Sequence, residues 1–339
     1  MTNQDIPRKC GTCASYIDED MSLEATIARK RSGMPHCGLT GKMQGPESEK
    51  GCFLWKWDGK ARGGRLNMAR IFPRVTNATP NDDYTFYDAP GMFLPPIDEV
   101  HISVAFTYDL PKAEQLMKAW KHIAPVKIGG PALNEPGGEF RPGMYLKPGY
   151  VITSRGCPNK CWFCSVWRRE GEKIRELEVK EGNNILDDNL LACSDDHIKQ
   201  VFAMLKKQKY GRPMFTGGLE AAKLKDWHVE ELRKLHPKEM FFAYDTPDDY
   251  EPLVEAGKKL LAAGFTTTSH TLRAYVLIGY QKDTIEKAEA RLMQTIKAGF
   301  LPMAMLYRGK NDRYKDLEWA RFQQFWARPA TVNLKVKAI

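Results

Sequence analysis

No run of about eighteen apolar residues occurs in this chain, so no segment reads as a membrane-spanning helix. The N-terminus, Met-Thr-Asn-Gln-Asp-Ile-Pro, has none of the apolar core that a secretory signal needs. No low-complexity stretch dominates, and no block of basic residues stands clear of acids. The net charge of +9 therefore permits an anionic partner such as nucleic acid without demanding one. Cysteine is scarce, eight in 339 residues, and it clusters. With no export signal, such clusters suit metal binding in a reducing cytoplasm better than a disulfide framework. The length suffices for one large domain plus one or two small ones, and a hydrophobic content of 42% supports a sizeable core. The expectation is a cytoplasmic protein with no membrane contact.

Three of the eight cysteines lie in residues 153–167, Thr-Ser-Arg-Gly-Cys-Pro-Asn-Lys-Cys-Trp-Phe-Cys-Ser-Val-Trp. Cys157, Cys161 and Cys164 are spaced C-x3-C-x2-C in a loop rich in Gly, Pro and Asn. Soft thiolates that close together suit one cubane iron–sulfur cluster. Three ligands leave one of its irons open, and no fourth cysteine lies nearby to close it. Structural zinc sites instead pair their cysteines in twos.

This spacing resembles that of the radical S-adenosylmethionine (radical SAM) superfamily, C-x3-C-x-aromatic-C, with Phe163 in the aromatic position. The resemblance implies a [4Fe-4S] cluster on Cys157, Cys161 and Cys164, with the amino and carboxylate groups of SAM on the open iron. It implies one-electron cleavage of SAM, with electrons from a flavodoxin- or ferredoxin-type donor. The resulting 5′-deoxyadenosyl radical would abstract hydrogen from an unidentified substrate.

From Tyr150 onward, strand and helix alternate at the roughly thirty-residue period of a β/α unit. Strands are expected near Tyr150, Asn184, Pro213, Glu239, Leu272 and Leu301. Helical faces include Ile198, Val201, Phe202 and Leu205, and then Leu253, Val254, Leu260 and Leu261. Gly264 and Gly299 read as C-caps. The alternation alone fits a doubly wound sheet equally well. The cysteine loop after the first strand tips the reading to a partial (β/α)6 barrel over residues 149–310.

Strand ends then supply the candidate site. After strand two come Asp187, Asp188 and Asn189, able to face a cavity. After strand three comes Thr-Gly-Gly-Leu-Glu, with Gly217, Gly218 and Glu220. It resembles the family's Gly-Gly-Glu motif, which holds the SAM amino group, with one Leu inserted; either Glu220 or the loop backbone could make that contact. By the same resemblance Asp245 would reach the SAM ribose, and the backbone around Gly279 would flank the adenine. Arg273 would suit a carboxylate if it points inward. Cys193, beside Ser194 as a helix N-cap, reads as an inert buried thiol, with a radical or thiol participant at the barrel rim as the alternative.

Residues 1–60 carry Cys10, Cys13, Cys37 and Cys52, four soft ligands in a segment too short for a core of its own. Zinc and an auxiliary iron–sulfur cluster fit equally as this second metal; His36 reads as a bystander. Basic Lys9, Arg29, Lys30, Arg31 and Lys42 would face nucleic acid if that is the partner. In residues 61–148, a strand from Glu99 to Ala105, a helix from Pro111 to about His122 and a strand at Val126 form one βαβ unit. It resembles a shortened cobalamin-binding Rossmann-like domain, but the D-x-H-x-x-G motif is absent. A structural remnant is expected, with His101 packing rather than ligating. Residues 311–339 offer an aromatic helix, Asp316 to Ala327, that would cover the barrel, then a strand-like alternation from Thr331.

Two other functions stay open. One is a radical SAM methyl- or methylthiotransferase acting on RNA or a peptide. The other is a non-catalytic iron–sulfur or zinc protein that binds nucleic acid with steep salt dependence.

Overall fold

The computed structural model describes residues 67–308 and 316–336. Cys10, Cys13, Cys37 and Cys52, and with them the N-terminal metal module, lie outside the described residues. The chain divides into two compact units, the first ending near Gly137 with Gly143–Lys147 added, the second holding Gly138–Pro142 and the rest. No helix among the described residues is long and apolar enough to cross a membrane.

The first unit is a parallel sheet of four strands in the order β2-β1-β3-β4, with β1 at Met68–Ile71, β2 at Thr85–Phe86, β3 at Glu99–Ser103 and β4 at Val126–Gly129. Helix α1, Leu110–Trp120, crosses from β3 to β4, so the expected parallel βαβ unit is present. Pro111 suits the first turn because its missing N–H has no helical partner to lose. Ala113, Leu116 and Trp120 of α1 are buried with Ile71, Val100, Ile102 and Ile128. The sequence reading missed β1 and β2, which are too short and irregular to carry a period. His101 on β3 packs against the Tyr145 ring and bonds Glu99 at 2.9 Å, so it is engaged within its own unit.

The second unit holds a six-stranded, wholly parallel sheet. Its strands are β5 (Tyr150–Val151), β8 (Asn184–Ile185), β9 (Met214–Leu219), β10 (Glu239–Tyr244), β11 (Leu272–Ile278) and β12 (Leu301–Leu306). Each starts within one residue of its expected position. They lie side by side in chain order, β5-β8-β9-β10-β11-β12. A doubly wound sheet reverses its order at a switch point, and this one does not. A small antiparallel ribbon, β6 (Ser154–Arg155) with β7 (Arg175–Glu176), was not foreseen; it closes the neck of the cysteine loop, which also carries the single turn α2, Val166–Arg169.

Helices α3 (Asp195–Lys207), α4 (Asp226–Leu235), α5 (Tyr250–Ala262) and α6 (Ile285–Lys297) fall between the strands from β8 to β12. In α3, Ser194 caps the N-terminus by accepting from the His197 N–H at 3.2 Å. Asp195 and Asp196 then fill the first turn and Lys206 and Lys207 the last, as the helix dipole favours. The buried face of α5 is Leu253, Ala256, Gly257 and Leu260; Leu261, expected inside, is exposed. Helix α7, Leu317–Trp326, buries Trp319 and Trp326. Residues 329–336 form helix α8, not a strand: Pro329 opens it, and the alternation from Thr331 is too short to hold an isolated strand.

Candidate functional site

Cys157, Cys161 and Cys164 are half-buried in the loop that leaves β6. The loop is held by its own backbone: the Cys157 N–H donates to Gly171 O at 3.2 Å, and the Cys164 N–H to Cys161 O at 3.1 Å. The Trp167 indole N–H donates to the same Cys161 oxygen at 3.1 Å. Glu170, nearly inaccessible, anchors the neck by pairing with Arg169 at 3.0 Å, Arg175 at 2.8 Å and Arg155 at 3.7 Å. Burial, with the neighbouring thiols adding, pushes Cys161 up to about 11 and raises Cys164 as well. As free thiols they stay protonated; a bound metal reverses that preference.

Asn189 joins this loop to strand three. Its Nδ2 donates to Glu220 Oε2 at 2.6 Å and lies 3.5 Å from Cys157 Sγ. That bond fixes the amide's orientation, and its Oδ1 is left buried without a partner among the described residues. An unsatisfied buried acceptor costs about 1–3 kcal/mol, so a donor is wanted at this point. The half-buried Glu220 carboxylate stands beside it, with Lys223 at 3.8 Å.

The two other residues of that turn play different parts from those expected. Asp187 does not face a cavity. It is buried, accepting from Thr153 N and Oγ1, both at 2.6 Å, and from Ser154 Oγ at 2.7 Å, which ties the end of β8 to the chain after β5. Asp188 accepts from the Gly156 N–H at 2.9 Å at the start of the cysteine loop.

The glycine pair lies inside β9 rather than after it. Phe215 and Leu219 pair with Met240 and Phe242, so four steps on β9 oppose two on β10, and the extra residues bulge out. A Cβ on Gly217 would stand 2.5 Å from the Asp187 carbonyl oxygen, so its close approach is to the neighbouring strand end. Gly218 has φ +102°, which only glycine adopts cheaply. The Tyr275 hydroxyl donates to Thr216 O at 3.0 Å and holds the bulge from across β10.

Asp245, after β10, accepts from the Leu277 N–H at 3.0 Å. Burial, and then the nearby Asp249 charge, push its carboxyl up to about 7. The Gly279 N–H is committed to Asp283 Oδ2 at 2.8 Å, and a side chain at 279 would run into Leu306 and Trp319. Arg273 sits at the opposite end of the sheet, paired with Glu239 at 3.3 Å and stacked over Phe241, so it does not join the other groups.

An aromatic cluster went unread in the sequence. Trp162, half exposed, packs edge-on against Phe163, Tyr280 and Tyr307 with centroids 5.3, 5.6 and 5.3 Å away. Tyr280 follows β11 and Tyr307 follows β12. The loop beyond the first strand thus touches the ends of the last two, and only their place just past each strand could have signalled it. No protein-family model matches the chain, and no curated protein matches it.

Proposed function

We propose that the second unit is a partial (β/α)6 barrel acting as a radical SAM enzyme, with a [4Fe-4S] cluster on Cys157, Cys161 and Cys164 and SAM beside it. The observation that carries this reading is the meeting of Cys157, Asn189 and Glu220 at the C-terminal ends of successive strands. The orphaned Asn189 Oδ1 and the Glu220 carboxylate are two acceptors side by side, and the SAM ammonium is a donor of matching charge. Sequential strand order and the Trp162 contacts to Tyr280 and Tyr307 support a sheet curved enough to bring its first and last strand ends together.

The thiol spacing favours a cluster over zinc. Among the described residues, the only His, Cys, Asp or Glu group of three with ligand atoms within 4.8 Å of one another is Asp187, Cys193 and His197. The three loop thiols are not all within that distance of one another, which suits thiolates on separate irons better than three on one ion. When bound, the cluster would supply one electron, drawn from a flavodoxin- or ferredoxin-type donor, and SAM the 5′-deoxyadenosyl group that takes hydrogen from a substrate.

The chain's own part is orientation and exclusion. Glu220 and Asn189 would hold the ammonium, and Asp245, through its second oxygen, a ribose hydroxyl. Trp162, Phe163, Tyr280 and Tyr307 would wall water from the loop.

The test is anaerobic reconstitution with iron and sulfide, then dithionite and SAM, with 5′-deoxyadenosine assayed. Formation that disappears in Cys161→Ala is the expected result. A protein that takes up no iron–sulfur cluster, or a variant that still cleaves SAM, overturns the reading.

A further inference from the structure

We propose that Asp187, Cys193 and His197 bind one zinc ion, at a site between the end of β8 and the start of α3 and separate from the cysteine loop. All three are buried, and their ligand atoms lie within 4.8 Å of one another. Carboxylate oxygen, thiolate sulfur and imidazole nitrogen are the donors zinc takes in proteins, and borderline-soft zinc accepts the mixture where magnesium or calcium would not. The Thr153 hydroxyl bridges the group, 2.6 Å from Asp187 Oδ2 and 3.4 Å from His197 Nε2, so an uncharged fourth oxygen is already present.

Local structure holds these donors together before any ion arrives. Cys193 and His197 are four residues apart across the Ser194 cap, and the capped turn sets their separation. Glu176 locks the same turn, accepting from the Ser194 N–H at 2.6 Å, while its other oxygen lies 4.0 Å from His197 Nδ1. A carboxylate behind a metal-binding imidazole fixes the ring's orientation and raises its basicity.

Charge gives the second argument. Asp187 is 1% exposed, all of its named hydrogen-bond donors are uncharged, and it has no ion-pair partner among the described residues. Burial pushes its carboxyl up in spite of those bonds, and it pushes the adjacent Cys193 thiol up to about 12, with the Asp187 charge adding. The Asp187 carboxyl and the Cys193 thiol are thus buried side by side, where a carboxylate or thiolate is costly unless paired or coordinated to a metal. One divalent cation answers both. Binding releases the thiol proton to solvent and changes no oxidation state. The inference does not rest on the radical SAM reading, since none of these residues belongs to the cysteine loop.

The decisive experiment uses the unmutated full chain. Cys193 is labelled with a maleimide in dilute urea, with a zinc chelator or with free zinc, and followed by mass spectrometry of its own peptide. With zinc about a hundredfold above its dissociation constant, mass action should slow labelling about a hundredfold. Equal rates in the two conditions overturn the site. As a second readout, Cys193→Ser and His197→Gln should each carry about one zinc fewer per chain than the parent. Replacing Cys157, Cys161 and Cys164 by Ser should leave that zinc in place. Unchanged zinc in both folded single variants also overturns the proposal, whatever the fate of the iron.

Discussion

Glu220 and Asn189 form a polar pair whose members come from neighbouring strand ends, 2.6 Å apart. If the pair receives the SAM ammonium, Glu220→Gln keeps the shape and removes the charge. A hydrogen bond to a charged group is worth about 1.5–3 kcal/mol, so SAM affinity should fall about tenfold to a hundredfold with the iron content unchanged. Calorimetric titration of the reconstituted protein reads this directly; unchanged affinity would move the ammonium contact to the loop backbone. Asp245 offers a pH signature. Its folded value of about 7 lies above the ordinary 3.8 of an aspartate, so between those values the folded chain holds a proton that the unfolded chain has released. Its contribution to stability therefore declines as pH rises through that window and levels off above 7. Asp245→Asn keeps an oxygen for the Leu277 N–H and has no proton to lose. The variant's stability relative to the parent should rise between pH 5 and pH 8, each pKa unit being worth about 1.4 kcal/mol. Denaturant midpoints across that range check it, and a constant difference would sink the assignment.

At the scale of elements, the contact of α5 with the turn before β12 depends on one missing side chain. A methyl on Gly257 would collide with the Ala298 carbonyl oxygen, a backbone atom that cannot rotate away, and would press on the Phe300 ring at 3.1 Å. Gly257→Ala raises helix propensity and should still destabilise the protein by about 1–3 kcal/mol, because overpacking outweighs the propensity gain. Urea unfolding of the two proteins tests the sign. Periodicity made the helices around it legible, since Ile198, Val201, Phe202 and Leu205 repeat at helical spacing and are all buried. The β6–β7 ribbon was illegible because, unlike the equally short β5 and β8, it falls at no step of the strand–helix repeat. Helix α8 was misread because Thr, Val and Leu alternate over too few residues to overrule Pro329.

Over the whole second unit, the loop after the first strand meets the ends of the last two through Trp162, Tyr280 and Tyr307. Trp162→Ala opens that contact without touching a proposed ligand. Its cluster should reconstitute normally and bleach several-fold faster in air, followed by the loss of iron–sulfur absorption. Equal lifetimes would mean that the aromatic wall does not shield the loop. The first unit buries its own core around Val100, Ile102, Leu116 and Trp120 and is built on a separate sheet.

The sequence by itself determined the strand starts from Tyr150 to Leu301, the faces of the long helices and the cysteine triple, because each is a local pattern repeated or spaced along the chain. Only the tertiary structure decided the side-by-side strand order that rules out a doubly wound sheet. It also brought Asn189 to both Cys157 and Glu220, turned Asp187 inward onto Thr153 and Ser154, and set Cys193 against His197 and Asp187. These are contacts between side chains many residues apart. What selects them is packing and the pull on buried polar groups to find partners in three dimensions, and no spacing along the chain records that pull.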